Sequence, residues 1–597
     1  MPANESDSPF ETTRSVLRAS QSWLRRGLWL YVAALVLCGV GYARYSSYQL
    51  DGDAVSFMDL ADAIRAHQWA RVANGYWNPA YSAALALGEA IAHPTRWTEL
   101  ATFFWVNFWI FIGCIGACIF FARSLAQLRE RRIADSQSAP ALSSAALQLV
   151  SLALMFFSFQ RELTLGAVRS DSLLLFFFLL AAGILSRILA GGAWALYPLL
   201  GAALGCAYLT KSFAFVPSGF LFLALLVWGV RRKQRLGPMA RRRVVAGTIA
   251  AGIVFGAIAA PYVIAISKQR GRLTTGESAR MNYAFFVDQT ARWHEFHTGS
   301  LGHATADFRH PEQLLLDSPP VYSYARHPLG TYPLWFDPAY WTDEIQPHFW
   351  LHGEIARIAR CTALLVRFLV GHLEPFCLIA ALLFAGCFFT RRRAMWWPLG
   401  AAAAWGLLML AIYFPVDLQD RYLTGAFLFV MVTLLAILRT PDATARRGVT
   451  ALVALLALLS VADAASDLGA RRRLLSVTTH AGGWYSPQIY QAAHGLNDLG
   501  VGNGETVACF GDIACYLDQY WARLADAPIR AEIDTPNGTD PGRFWAGLAD
   551  QAQVIAALRT EGVHAIVASF APEARVPDGW QQLGESNFYA YLIPPQR

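Results

Sequence analysis

Apolar residues in this chain come in long blocks. The breaks between blocks are of two kinds, short clusters rich in arginine and longer stretches rich in Asp, Trp, Tyr and Pro. A helix needs about 20 apolar residues to cross roughly 30 Å of hydrocarbon. The pattern predicts about eleven such helices, near residues 27–44, 100–122, 141–160, 171–190, 193–210, 212–230, 244–266, 361–389, 395–414, 422–438 and 449–467. The expected architecture is an all-α polytopic membrane bundle. A polar segment, 1–26, precedes a bundle domain, 27–467, which is interrupted by the long loops 45–99 and 267–360 and followed by 468–597.

The last segment reads differently. Short runs of strand formers at 506–510, 564–568 and 589–593 alternate with helical stretches near 486–498 and 543–560, which predicts a small C-terminal α/β domain. Cys509 and Cys515 fall inside it, either as a local disulfide or as two reduced thiols in a small core. The other cysteines, Cys38, Cys114, Cys118, Cys206, Cys361, Cys377 and Cys387, lie in the apolar blocks, where they read as small apolar fillers.

Lys and Arg near helix ends are retained in the cytoplasm. Arg14, Arg18, Arg25 and Arg26; Arg129, Arg131 and Arg132; the run from Arg231 to Arg243; Arg391, Arg392 and Arg393; and Arg439, Arg446 and Arg447 all fall on one side if the N-terminus is inside and the count is odd. Arg471, Arg472 and Arg473 break that pattern. Loops 45–99 and 267–360 and the terminal domain are then extracytoplasmic. Composition agrees with a membrane protein: 55% of residues are hydrophobic, 15% are charged and mean hydropathy is +0.34. The net charge of +7 is carried mostly by the inside arginines and does not point to nucleic acid. No cleavable signal is evident, so the first apolar block reads as an anchor.

Four polar clusters stand at the outer ends of the blocks: Asp51-Gly52-Asp53, Arg169-Ser170-Asp171, Thr210-Lys211, and Asp417 to Arg421. Any one cation there reads equally as a side chain snorkelling to headgroups, and Asp-Gly-Asp alone reads as a hydrated turn. Several acids and bases converging on one face mark a site. Behind Asp53, the stretch 57–69 is amphipathic and predicts a helix lying on the membrane surface. In loop 267–360, the aromatic run Trp335 to Trp341 reads as a sugar-stacking lid or as an interfacial belt. Glu277 and Tyr283 flank a polar stretch that either contacts substrate or is simply ordered. His294, Glu295, His297, His303 and His310 match no metal template, so no metal ligand is assigned, although a divalent metal stays possible as cofactor.

The ordered series resembles the GT-C membrane glycosyltransferases, in particular the protein O-mannosyltransferase and aminoarabinose transferase branch that uses polyprenyl-phosphate sugars. The residues that carry the resemblance are the acidic opening of the first outer loop, then Gly75, Trp77, Pro79 and Tyr81, then Arg169-Ser170-Asp171, Leu209-Thr210-Lys211 with Pro217, and Asp420-Arg421-Tyr422. It covers roughly residues 27–440. The sequence departs from the family's pattern at Asn78-Pro79-Ala80, where the family often has two prolines. The resemblance implies transfer of a sugar from a polyprenyl-phosphate donor to an extracytoplasmic lipid, glycan or protein acceptor. It implies a multi-pass protein of a cell membrane, with a bacterial inner membrane expected and the active site on the external face.

Such transfer needs a base for the acceptor and positive charge for the departing phosphate. Asp53 is the expected base, and one carboxylate without a nucleophilic partner implies inversion. Arg169, Lys211 and Arg421 are the expected donor-phosphate ligands, supported by Asp51, Asp171 and Asp420, with Trp77, Tyr81, Glu277 and Tyr283 expected on the substrate. Two other classes stay open. A multi-pass transporter or lipid flippase would carry ionisable groups at mid-depth, for which Glu374 is the one candidate. A block transferase moving an oligosaccharide would need a divalent metal.

Overall fold

The computed structural model describes the chain except residues 1–8, 47–49, 51, 134–138, 232–237, 292–300, 307–308, 343–344, 390–397, 441–442, 478–485, 537–538 and 596–597. Asp51, His294, Glu295 and His297 therefore lie outside the described residues.

Each apolar block forms helix. Among the described residues, seven helical stretches are long and apolar enough to cross a membrane: Trp23–Arg44, Glu99–Arg131, Asp171–Leu189, Ser212–Arg231, Arg241–Arg270, Asp420–Ile437 and Arg446–Leu474. Leu351–Gly371 with Glu374–Phe384 is an eighth if that pair, bent by 62°, is one span. The count of eleven full-length crossings is not met, because Ser144–Ser158, Leu196–Thr210 and Ala401–Tyr413 have only 15, 15 and 13 residues. Leu196–Thr210 is cut off where the chain turns at Lys211, and Ser144–Ser158 where it relaxes into the π turn Phe159–Leu163. The helices pack closely through small residues: a Cβ on Gly201 would stand 2.1 Å from the Ala251 carbonyl oxygen of the neighbouring helix.

The two classes of break separate to opposite ends of the bundle. Helix Asp171–Leu189 begins at the Asp171–Lys211 pair, and the carbonyl just beyond its other end, on Ala190, accepts from Arg131 at 2.6 Å. Helix Asp420–Ile437 begins beside the same polar cluster and ends in a small sheet that joins Ala139–Pro140, Leu438–Thr440 and Phe388–Phe389. Arg131 and the strand Leu438–Thr440, which carries Arg439, thus lie at helix ends away from the acidic cluster. Arg471, the apparent exception, is accommodated by Asp467 at 2.9 Å and by the Tyr42 ring, on a helix that continues to Val477.

The outer segments form one assembly. Val507–Phe510, Ala565–Ser569 and Phe588–Leu592 are strands, as the sequence predicts, and Cys509 and Cys515 are disulfide-bonded. Ile529–Ile533 lies beside Val507–Phe510 in parallel. The hairpin Gln313–Asp317/Pro320–Ser323 from loop 267–360 then extends the sheet to seven strands by pairing with Ile529–Ile533. Hydroxyls of Tyr324 and Tyr332 from that loop both donate to Glu532 at 2.6 Å, tying loop and terminal domain together.

Two expectations for these segments are corrected. The amphipathic helix runs Gly52–Arg65, and its apolar face does not lie on lipid: Phe57, Leu60 and Ala61 are buried within the protein, Phe57 against Trp77 and Tyr81, while Asp59 and Asp62 on the other face pair with buried Arg523 of the terminal domain. The run from Trp335 to Trp341 forms two short helices whose Leu334, Phe336, Ala339 and Trp341 are buried, leaving the aromatics as packing.

Glu89 sits under this assembly, 3.3 Å from Arg65. Burial, with Asp62 close by, pushes its carboxyl up to about 7. Folding therefore favours the protonated form, and that contribution to stability is full below the ordinary value of 4.5 and lost as pH rises through about 7. The purified chain should unfold at a lower temperature at about pH 8 than at about pH 6, and Glu89→Gln should reduce the difference. An unaltered difference in the variant would place the pH dependence elsewhere.

Candidate active site

Three helix ends and one helix break bring the predicted charges together. Asp53 lies in the first turn of Gly52–Arg65, where unpaired backbone N–H groups and the helix dipole favour a carboxylate. Asp171 opens its own helix in the same way. Helix Leu196–Thr210 stops at Lys211, which is extended (φ −155°, ψ 124°) ahead of the 3-10 turn Ser212–Ala214. That break leaves backbone groups without intrahelical partners. Asn78 satisfies two of them, accepting from the Ser212 N–H at 3.0 Å and donating to the Tyr208 carbonyl at 2.8 Å. Arg421 stands in the first turn of Asp420–Ile437.

The charges alternate in space. Lys211 Nζ donates to Asp171 Oδ1 at 2.8 Å, Arg421 Nε is 3.7 Å from Asp171 Oδ2, and Arg421 Nη2 is 3.9 Å from Asp53 Oδ2. Asp171 is buried between two cations, whereas the Asp53 side chain is 29% exposed and sits beyond hydrogen-bond length from Arg421. The buried acid holds the cations, and the open one faces solvent space. Below them the Tyr422 ring lies 4.1 Å from Lys211 Nζ and stacks on Tyr413 at 4.6 Å, which stacks on Phe213 at 3.8 Å.

All of this lines an open-mouthed cavity of about 250 Å³. Asp53, Arg169, Asp171, Lys211 and Arg421 form its charged side, and Tyr76, Asn78, Ser212, Ser278 and Asn282 its uncharged polar side. Asp417 also reaches it but is paired with Arg357. The arrangement offers a cationic cradle for an anion, one half-open carboxylate beside it, and hydroxyls and amides opposite.

Among solved structures, the chain is similar to ArnT from Cupriavidus metallidurans in the apo state, at 13% identity and TM-score 0.48, covering 97% of this chain and 100% of that chain. It is similar to the same protein bound to undecaprenyl phosphate, at 12% identity and TM-score 0.49, covering 95% of this chain and 99% of that chain. It is also similar to an Archaeoglobus fulgidus oligosaccharyltransferase tethered to an acceptor peptide, at 11% identity and TM-score 0.40, covering 92% of this chain and 70% of that chain. No protein-family model and no curated relative matches the sequence. Likeness at this level assigns no donor, acceptor or residue role.

Of the sequence-predicted site residues, Asp53, Trp77, Arg169, Asp171, Lys211 and Arg421 line the cavity. Four others do not. Tyr81 is fully buried and donates to Asn107 at 2.9 Å; Asn107 in turn donates to the Leu165 and Ala167 carbonyls, so Tyr81 fixes the segment that delivers Arg169. Asp420 pairs with Arg367 at 2.9 Å instead of steadying Arg421. Glu277 is buried behind the wall, between Arg272 at 2.5 Å and Arg280 at 2.9 Å. Burial works against its charge, but Arg280, Thr274 and Arg272 hold the carboxyl below its ordinary value. Tyr283 donates to Glu354 at 2.5 Å, away from the cavity lining.

Sequence reasoning assigned no role to Tyr413, Tyr422 or Asn78, although Tyr422 stands in the Asp420-Arg421-Tyr422 series. The signal for Asn78 was its place where a second proline was expected. The remaining histidines give no metal centre: His303 stacks on Trp350 at 3.8 Å and His310 on Tyr340 at 4.2 Å. Among the described residues, the one grouping with metal-ligand spacing is Cys509, Cys515 and Glu532, and its cysteines are joined to each other. Glu374 marks a helix start at the 62° bend and pairs with Arg161 at 2.5 Å.

Proposed function

We propose that this chain is a membrane glycosyltransferase that moves a sugar from a polyprenyl-phosphate donor to an extracytoplasmic acceptor, with inversion. The observation that carries this reading is a half-open carboxylate, Asp53, in one cavity with Arg169, Lys211 and Arg421 at the polar end of an apolar bundle. The cations bind the donor phosphate and stabilise the charge that grows on it as the glycosidic C–O bond breaks. Asp53 takes the proton from the acceptor hydroxyl or amine as that atom attacks the anomeric carbon from the opposite face. The Tyr422–Tyr413–Phe213 stack and the uncharged polar side hold the sugar. The polyprenyl tail remains in the lipid beside the bundle. The site faces outward from a cell membrane, a bacterial inner membrane being the setting that fits a polyprenyl carrier.

The three cations supply the charge that a block transferase takes from a divalent metal, which gives a direct test. Membranes containing the protein, given lipid-linked sugars extracted from cells lacking it, should release polyprenyl phosphate at an undiminished rate in EDTA. Loss of release in EDTA, restored by a divalent ion, would favour the block transferase. Mass spectrometry of the same extract identifies the sugar that accumulates.

A further inference from the structure

Among the described residues the terminal domain has none on the cavity, yet one of its turns touches the helix that carries Asp53 at two points. Gln519 and Arg523, four residues apart at and within the short helix Tyr520–Leu524, lie against positions 52 and 59–62 of Gly52–Arg65. At the first point, a Cβ on Gly52 would stand 2.2 Å from Gln519 Nε2 and 2.8 Å from the Trp335 ring, so any side chain immediately before Asp53 would press on both. One turn on, Ser56 Oγ donates to the Trp335 carbonyl at 2.9 Å. At the second point, Arg523 Nη1 donates to Asp59 at 2.7 Å and to Asp62 at 2.9 Å, while Nε and Nη2 bind Glu99 as a fork at 2.9 and 2.8 Å. Thr331 completes the joint, its N–H and hydroxyl donating to the two Asp59 oxygens at 2.6 and 2.8 Å.

The Arg523 side chain is 2% exposed. Burial weakens its charge, but Asp62, Glu99 and Asp59 together hold it firmly protonated. A buried fork of this kind fixes geometry more reliably than it adds stability. Its geometry is specific: two contacts separated along one helix set both the axial position and the rotation of that helix. Asp59 lies six residues, or about 9 Å, from Asp53 along the helix, and displacement at one end is transmitted to the other.

We infer that Arg523 and the Gly52–Gln519 contact are positioning elements through which the terminal domain and loop 267–360 set the place of Asp53 in the cavity. This rests on the glycosyl-transfer reading. A misplacement of about 1 Å at a base is enough to slow turnover roughly 100-fold while leaving the cationic cradle, on other helices, intact.

The test uses the full-length chain, with the lipid-linked sugars extracted from cells lacking the protein as donor and undecaprenyl phosphate alone as binding probe. Arg523→Lys keeps the charge and loses the fork; Gly52→Ala leaves the charges untouched and presses on Gln519. Both should lower kcat roughly 10- to 100-fold, with KM for donor and affinity for undecaprenyl phosphate within about twofold of the unaltered chain. Should both variants keep kcat and lose only thermal stability, or should KM rise with kcat unchanged, the inference is overturned. Asp53→Asn run alongside separates the two levels. If it is inactive while the other two turn over normally, the coupling alone fails; if it is fully active, the mechanism built on Asp53 fails and the inference with it.

Discussion

Asp53→Asn is expected to abolish transfer, lowering turnover by about 10²–10⁴-fold, the range spanned by loss of a general base. The amide occupies the same space and accepts a hydrogen bond but takes no proton. The variant should insert and fold normally, because the Asp53 side chain is 29% exposed and its Arg421 partner lies 3.9 Å away, a weak ion pair. Binding of undecaprenyl phosphate should survive, since the cations proposed to hold the phosphate retain Asp171. Measured turnover within a few-fold of the unaltered chain would remove Asp53 from the mechanism.

Lys211→Met is the second large effect. It removes a cation from the cradle and leaves the buried Asp171 carboxylate facing Arg421, at 3.7 Å, and Arg169. Loss of one donor aimed at developing charge costs about 10²–10³ in turnover. Because a phosphate is already anionic before the bond breaks, donor affinity should fall as well, which distinguishes this variant from Asp53→Asn. Titration of the purified variant with undecaprenyl phosphate checks that split; affinity equal to that of the unaltered chain would mean Lys211 does not meet the phosphate. Lys211→Arg should restore only part, since a planar fork does not reproduce a point charge over the Tyr422 ring.

The membrane bundle and the charged side of the cavity were legible because each follows from a local rule. Apolar length predicts a crossing, and Asp53, Arg169, Asp171, Lys211 and Arg421 stand out as charges where an apolar block begins or ends. What the sequence hides is which charges face one another. Asp420 and Arg421 are neighbours in the chain, yet consecutive positions on a helix point about 100° apart, so one pairs with Arg367 and the other enters the cavity. Tyr81 has the same residue type as Tyr413 and Tyr422, but its hydroxyl is consumed by Asn107. The surface helix was misread for a related reason. Its acid stripe looks solvated in isolation, and partners distant in the sequence, Arg523 and Thr331, together with Arg96, turn it into an interface.

Labelling from outside the cell tests the central claim most directly. Cysteines placed singly at Asp53→Cys and Lys211→Cys, in a chain whose exposed Cys377 is replaced by Ala, are treated in intact cells with a membrane-impermeant maleimide. The account predicts that both positions react from the outer side and that excess undecaprenyl phosphate protects both. Reaction of the two positions from opposite sides of the membrane would contradict it.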